Sequence, residues 1–170
     1  MLFRGFKQFI ESVGVGHTVY IDSCCFNRQF DDQNSDRIRR ETEAVNQVLD
    51  LVRAGQLRLI FSQALQEELL RHPEIAQKVR AIASEFVQRT PDIDWRGKKL
   101  AEDPLVRLGP YDALHVASAE SAGADVLLTV DDKMIKKARH AHAHVRLENP
   151  VEWLRGTGFS RKAKALVSQV

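Results

Sequence analysis

The chain reads as an α/β protein, a three-layer α/β/α sandwich around a central, mostly parallel sheet of four to five strands. Three observations predict this. Short β-branched runs alternate with helical patterns, as in successive βαβ units. Asp125-Val-Leu-Leu-Thr-Val130 is the most apolar run in the chain, as a strand covered on both faces should be. The stretch from Tyr111 to Ala122 is helical in pattern and apolar on three sides (Ala113, Leu114, Val116, Ala117, Ala119), so it packs on a sheet rather than lying on the surface.

Taken in order, residues 2–13 place Phe3, Phe6, Ile10 and Val13 on one helical face, and Gly14 and Gly16 end that pattern. Thr18-Val-Tyr-Ile21 is a strand ending at Asp22-Ser23, and residues 24–35 are irregular and polar. A helix over 37–53 follows, capped by Ser35 or Asp36, with Ala44, Val45, Val48, Leu49 and Val52 on its apolar side. Gly55 stops it. Leu57–Phe61 is the second strand, and Ser62 caps the next helix, which carries Leu65, Leu69 and Leu70 and closes at Pro73. Residues 74–89 continue a helical pattern through Ile75, Val79, Ile82, Ala83 and Phe86, and 91–109 read as a loop with a partial helix. Beyond the strand at 125–130, a helix over 132–139, a strand over 144–147 and a helix beginning at Pro150–Leu154 complete the pattern. The division expected is an extension over 1–17, one domain over 18–155 and a basic tail over 156–170.

The 170 residues suffice for one domain with a hydrophobic core, and 44% hydrophobic with 28% charged residues is a globular composition. A net charge of +2 permits nucleic acid without announcing it. The only cysteines, Cys24 and Cys25, are adjacent and poorly placed to bridge each other, so no disulfide framework is expected. No apolar run approaches a membrane span, and the N-terminal residues lack the apolar centre of a signal peptide. The expectation is a soluble, cytoplasmic protein with no membrane partner.

Chemistry concentrates in four acids. Asp22 follows the strand 18–21 and Asp131 follows the strand 125–130. Glu68 stands on the second turn of the helix after Leu57–Phe61, with Glu67 as its competitor. Asp112 opens the buried helix entered through Gly109-Pro110, where an uncompensated charge is costly. Open parallel sheets bind ligands outside the carboxyl ends of their strands, and these segments all present acids there. Carboxylates so crowded repel one another, and a hard divalent cation, Mg²⁺ or Mn²⁺, relieves the conflict. Such a site suits metal-assisted hydrolysis of a phosphodiester. Each acid also has a plainer reading as a cap, a turn residue or a solvated charge.

These residues resemble the PIN-domain family, and within it the VapC-like endoribonucleases of toxin–antitoxin pairs. The matching pieces are Val19-Tyr-Ile-Asp22-Ser23, the Phe61-Ser62 to Glu68-Leu69 segment, Asp112-Ala-Leu-His-Val-Ala-Ser-Ala119, and Leu127-Leu-Thr129 with Asp131-Asp132. Arg146-Leu-Glu-Asn-Pro-Val-Glu-Trp153 resembles the end of bacterial PIN proteins, and the likeness covers about 18–155. The resemblance implies a ribonuclease using Mg²⁺ or Mn²⁺, with Asp22, Glu68, Asp112 and Asp131 as catalytic and metal-binding residues. It implies RNA as substrate, an antitoxin protein as a possible partner, and a homodimer. Residues 1–17 and 157–170 fall outside the pattern.

Other features have two readings each. Ser23 orients a water at the site or caps the strand exit. Asp132 is an outer partner of the site or a favourable charge at a helix N-terminus. His115 shares a helix face with Asp112 and is better read as a satisfied core residue than as a ligand. His140, His142 and His144 would share one face if they lay on a strand. Cys24 and Cys25 are small core residues beneath the site. Lys133, Lys136, Lys137 and Arg139, with Arg28, Arg37, Arg39 and Arg40, line an RNA path or are solvated faces. A haloacid-dehalogenase-type phosphohydrolase would need a second aspartate where Cys24 stands, and a dinucleotide-binding protein would need its glycines after the first strand, whereas Gly14 and Gly16 precede it. A PIN-like module that binds without cutting would be expected to lack one of the four acids, and all four are present.

Overall fold

The computed structural model describes residues 17–71, 108–140 and 143–159, the strand Val87–Arg89 and a few isolated positions between 73 and 102. The predicted helix over 2–13, most of the helix over 74–86 and of the loop after it, His142 and the tail beyond 159 lie outside the described residues.

Five parallel strands form one sheet: β1 (His17–Ile21), β2 (Leu57–Phe61), β3 (Val87–Arg89), β4 (Val126–Leu128) and β5 (Arg146–Glu148), in the order β3-β2-β1-β4-β5. The helices among the described residues are α1 (Ser23–Asn27), α2 (Asp36–Arg53), α3 (Gln63–Leu69), α4 (Pro110–Ser121), α5 (Asp132–His140) and α6 (Pro150–Thr157), with a 3₁₀ turn at Arg28–Phe30. From β1 the chain steps outward through β2 to β3, then crosses to the other side of β1 for β4 and β5. Right-handed crossovers put the helices of the two halves on opposite faces of the sheet. The strand order therefore reverses between β1 and β4, the place where open parallel sheets bind ligands outside their carboxyl ends.

The middle strands carry the core. Val19, Tyr20 and Ile21 on β1, and Val126, Leu127 and Leu128 on β4, are all buried, so both faces of the sheet are covered. On β2 the exposed Arg58 interrupts Leu57, Leu59 and Ile60. Helix α2 buries Ala44, Val45, Val48, Leu49, Leu51 and Val52, the stripe its spacing predicts, and packs on α6. Gly55, with φ +68°, turns the chain from α2 into β2. Ser62 caps α3 by accepting the Leu65 N–H at 3.1 Å, and Asn149 caps α6 by accepting that of Val151 at 3.0 Å. Leu127→Ala, which empties a fully buried position on β4, is expected to cost about 3 kcal/mol in a urea melt. A change under about 0.5 kcal/mol, the scale of a surface substitution, would contradict this packing.

Four local expectations are corrected. Residues 24–35, expected to be irregular, contain α1 and the 3₁₀ turn. Val87–Arg89, expected to end a helix, is the edge strand β3, its backbone paired with Leu59–Phe61. His140 ends α5, where its Nδ1–H donates to the Lys136 carbonyl at 2.8 Å, and β5 starts only at Arg146, so His140 and His144 share no strand. Helix α6 runs to Thr157, and Phe159 beyond it is buried, stacked on Trp153 and edge-on to His17.

Candidate functional site

The carboxyl ends of β1 and β4 lie side by side, and one hydroxyl joins them. Thr129 Oγ1 donates to Asp22 Oδ2 at 2.8 Å and accepts the Asp131 N–H at 3.2 Å. The Asp22 N–H in turn donates to the Leu128 carbonyl at 2.9 Å, extending the β1–β4 pairing to the acid itself. Cys24, on the first turn of α1, donates its thiol to Asp22 Oδ2 at 2.9 Å. Asp22 is thus buried and held by neutral donors, with Oδ1 towards His115.

Glu68 reaches the same place from α3. Its Oε2 lies 2.7 Å from His115 Nε2, and that nitrogen is 3.6 Å from Asp22 Oδ1. One ligand atom from each of Asp22, Glu68 and His115 falls within 4.8 Å of the others. The hydrogen bond from His115 holds the Glu68 carboxyl below the usual range; burial opposes this, and the Ser23 hydroxyl adds to it. Glu67, the competing acid, is exposed and accepts from Gln63 Nε2 at 2.9 Å instead.

Asp112 is the third residue of α4, and its carboxylate takes the backbone N–H of the N-cap residue Gly109. Burial first, then the charges of Asp22 and Asp131, push its carboxyl above the usual range. Asp112 therefore shares its surroundings with both strand-end aspartates. Asp131 is exposed, and its Oδ1 accepts the N–H groups of Lys133 (2.7 Å) and Met134 (3.1 Å) at the start of α5. One of its oxygens is thus engaged in capping, the plainer role weighed for it.

The raised Asp112 carboxyl has a consequence for stability. Its folded value lies above its unfolded value, so its contribution is present below the unfolded value and is lost as pH rises through the folded one. Metal-free Asp112→Asn is therefore expected to melt above wild type at neutral pH. The gain should shrink as pH falls towards about 3.9, the ordinary aspartate value. A lower melting point at neutral pH would contradict the crowding.

His115 is the residue that sequence reasoning placed outside the site. It is fully buried, as a core histidine would be, yet its Nε2 faces the acids. Burial works against its protonation, but the hydrogen bond to Glu68 and the charges of Asp22, Glu68 and Asp112 outweigh that and raise its pKa. Its spacing of three from Asp112 was the available signal. Ser23 faces Glu68, and Asp132 pairs with Arg37 at 2.8 Å. The Cys24 thiol is pushed up by its neighbour Cys25, by burial and by Asp22, which disfavours the thiolate a nucleophile needs.

An open parallel sheet with Asp22, Glu68 and His115 clustered at its strand-order reversal, and Asp112 within reach of the Asp22 and Asp131 charges, defines an α/β protein with an acidic cluster at the switch point. The PIN domain family matches residues 19–140, well over half of the chain, and the chain belongs to that family. Among solved structures it is similar to FitAcB from Neisseria gonorrhoeae, at 15% identity and TM-score 0.51, over 78% of this chain and 97% of that one. It is also similar to PAE2754 from Pyrobaculum aerophilum, at 18% identity and TM-score 0.47, over 89% and 90% of the two chains. At these identities the likeness to FitAcB speaks for the fold alone. No curated protein matches the sequence. Among the described residues, no helix is long and apolar enough to cross a membrane.

Proposed function

We propose that the protein is a divalent-metal-dependent endoribonuclease, with Asp22, Glu68, Asp112 and Asp131 as its catalytic and metal-binding residues. The observation that carries this reading is the crowding itself. Asp112 is held above the usual range by burial and by two other aspartates, one from each strand end, and Glu68 meets Asp22 across His115. Oxygen donors of this kind fit a hard cation, Mg²⁺ or Mn²⁺. Asp22 and Glu68, whose carboxylates come closest together, are the best-placed ligands, and Asp112 and the uncapped oxygen of Asp131 would join them. When bound, the ion would activate water and stabilise the developing negative charge at phosphorus. The chain's own contribution is to fix the carboxylates in advance: Thr129 and Cys24 hold Asp22, Gly109 holds Asp112, and the start of α5 holds Asp131.

For the substrate, RNA is supported by family membership and by exposed cations beside the acids. Lys133, Lys136 and Arg139 are exposed on α5, directly after Asp131. Arg40 lines a cleft in which Arg37 is paired with Glu41 and Asp132, and Arg155 with Glu152. Arg28 leaves this set, because it is half-buried and paired with Asp31 and Glu41. The likeness to VapC-like proteins extends the reading to a toxin held by an antitoxin protein and to a cytoplasmic homodimer. Growth arrest on expression, relieved by a protein encoded in the neighbouring reading frame, tests the toxin reading; sedimentation tests the dimer. The domain expected over 18–155 is widened to include His17, Thr157 and the buried Phe159, and an extension and a basic tail are proposed outside it.

The enzyme reading is tested on the two adjacent glutamates. Glu68→Gln is expected to lower Mn²⁺-dependent RNA cleavage by roughly a hundredfold or more, and Glu67→Gln to leave it unchanged. Equal rates for both variants would overturn the assignment. Absence of cleavage by wild type with either ion would leave a PIN-like binding module as the better reading.

A further inference from the structure

Of the proposed ligands, Glu68 alone stands on a helix rather than beside a strand end or a helix start, yet its carboxylate is not left to wander. A chain of buried side chains leads to it. The Leu65 N–H donates to Ser62 Oγ at 3.1 Å, and Ser62 Oγ lies 2.6 Å from the Tyr20 hydroxyl. The same hydroxyl lies 2.6 Å from His115 Nδ1, and His115 Nε2 lies 2.7 Å from Glu68 Oε2. Ser62, Tyr20 and His115 are each at most 2% exposed, so each proton in the chain needs an acceptor.

The contact with the Glu68 carboxylate decides the direction. If Ser62 donates to Tyr20 and Tyr20 to Nδ1, then Nε2 carries its proton and donates to the carboxylate. In the opposite direction Nδ1–H donates to Tyr20 and Tyr20 to Ser62. Whichever of Ser62 and Ser118 then accepts from Tyr20, that direction sets the Nε2 lone pair against a carboxylate oxygen at 2.7 Å. A doubly protonated ring would still present Nε2–H to Glu68. We propose that Ser62, Tyr20 and His115 form a positioning chain that aims the Glu68 carboxylate at Asp22, and that His115 is a hydrogen-bond donor to Glu68 and not a ligand of the ion. This rests on the metal reading above and assigns a role within it: the imidazole is an outer partner that orients a carboxylate ligand. It also accounts for the choice of Glu68 over Glu67, whose carboxylate accepts from Gln63 and, among the described residues, joins no such chain.

Two measurements test it on the full-length protein. In ¹⁵N NMR of labelled wild type, with the ring signals assigned by their loss in His115→Gln, Nε2 is expected to stay proton-bearing from metal-free to Mg²⁺-saturated protein. Loss of the Nε2 proton on adding Mg²⁺, with a proton appearing on Nδ1, would make the imidazole a ligand and overturn the proposal. In calorimetric titration with Mn²⁺, Tyr20→Phe and His115→Gln are each expected to weaken binding about tenfold. The double variant should be no weaker than the worse single one, since all act through one carboxylate. Circular dichroism checks that the variants fold, and the wild-type NMR result does not depend on them. Wild type that binds no Mn²⁺ would overturn the metal reading itself. Mn²⁺ binding by folded Tyr20→Phe at wild-type affinity would overturn the positioning chain alone.

Discussion

Asp22→Asn is expected to lower metal-dependent RNA cleavage by more than roughly a hundredfold, the upper range for losing a mere outer partner of a metal ligand. The thermal midpoint of the metal-free protein should stay level or rise. Asp22 Oδ2 is occupied by Thr129 and Cys24, which leaves Oδ1 on the side of His115 and Glu68. An amide keeps an acceptor for Thr129 but removes the charge that attracts a cation. It also removes one of the two aspartate charges that push up the Asp112 carboxyl, which is why stability should not fall. Strong repulsion in the folded protein is the mark of a site arranged for a ligand rather than for stability. Cleavage rates with and without Mn²⁺, read beside a melting curve, check both halves. A variant that cut normally, or that simply unfolded, would contradict the role given to Asp22.

The largest expected loss of stability lies elsewhere, at Glu41. Its side chain is 3% exposed, and three partners converge on it: Arg28 Nε at 2.7 Å, Arg37 Nε at 2.9 Å and Asn149 Nδ2 at 2.8 Å. These join the segment after α1, helix α2 and the cap of α6. Arg37 extends the network to Asp132 at 2.8 Å, beside the end of β4. Removing one partner of a buried ion pair costs about 3–5 kcal/mol, and solvent at the half-exposed Arg37 puts this cluster at the lower end. Glu41→Ala is therefore expected to lower the melting midpoint by roughly 10 °C at this chain length. Glu41→Gln, which keeps the hydrogen bonds to Oε1, should cost less. A shift of a degree or two for Glu41→Ala would mean that the cluster is relaxed by water and contributes little.

Legibility in the sequence followed the length and purity of each signal. β2 was predicted with its observed ends, and β1 within one residue, because both are apolar or β-branched runs bounded by turn residues. Helix α2 has eighteen residues and a clean apolar stripe, so its period was unmistakable. β3 has only three residues, too few for alternation to show, and it follows a segment of helical spacing. The five residues of α1 are likewise too few for a period of 3.6. In the site, acids beside strand ends were visible because topology alone aims them at one edge. The partnership of His115 with Tyr20 and Glu68 spans 95 and 47 residues of sequence, and no local pattern encodes it. The same holds for Arg28, whose ion pair with Glu41 withdraws it from the RNA path that its position in sequence suggested.

The most direct test of the metal-nuclease account uses one labelled single-stranded RNA and three conditions: Mg²⁺, Mn²⁺ and excess EDTA. Wild type is predicted to cut internally with either ion and not in EDTA, and Asp22→Asn and Asp112→Asn, purified identically, to cut in none. Cleavage that survives EDTA or both substitutions would contradict it, and so would a wild type that cuts no RNA and binds neither ion.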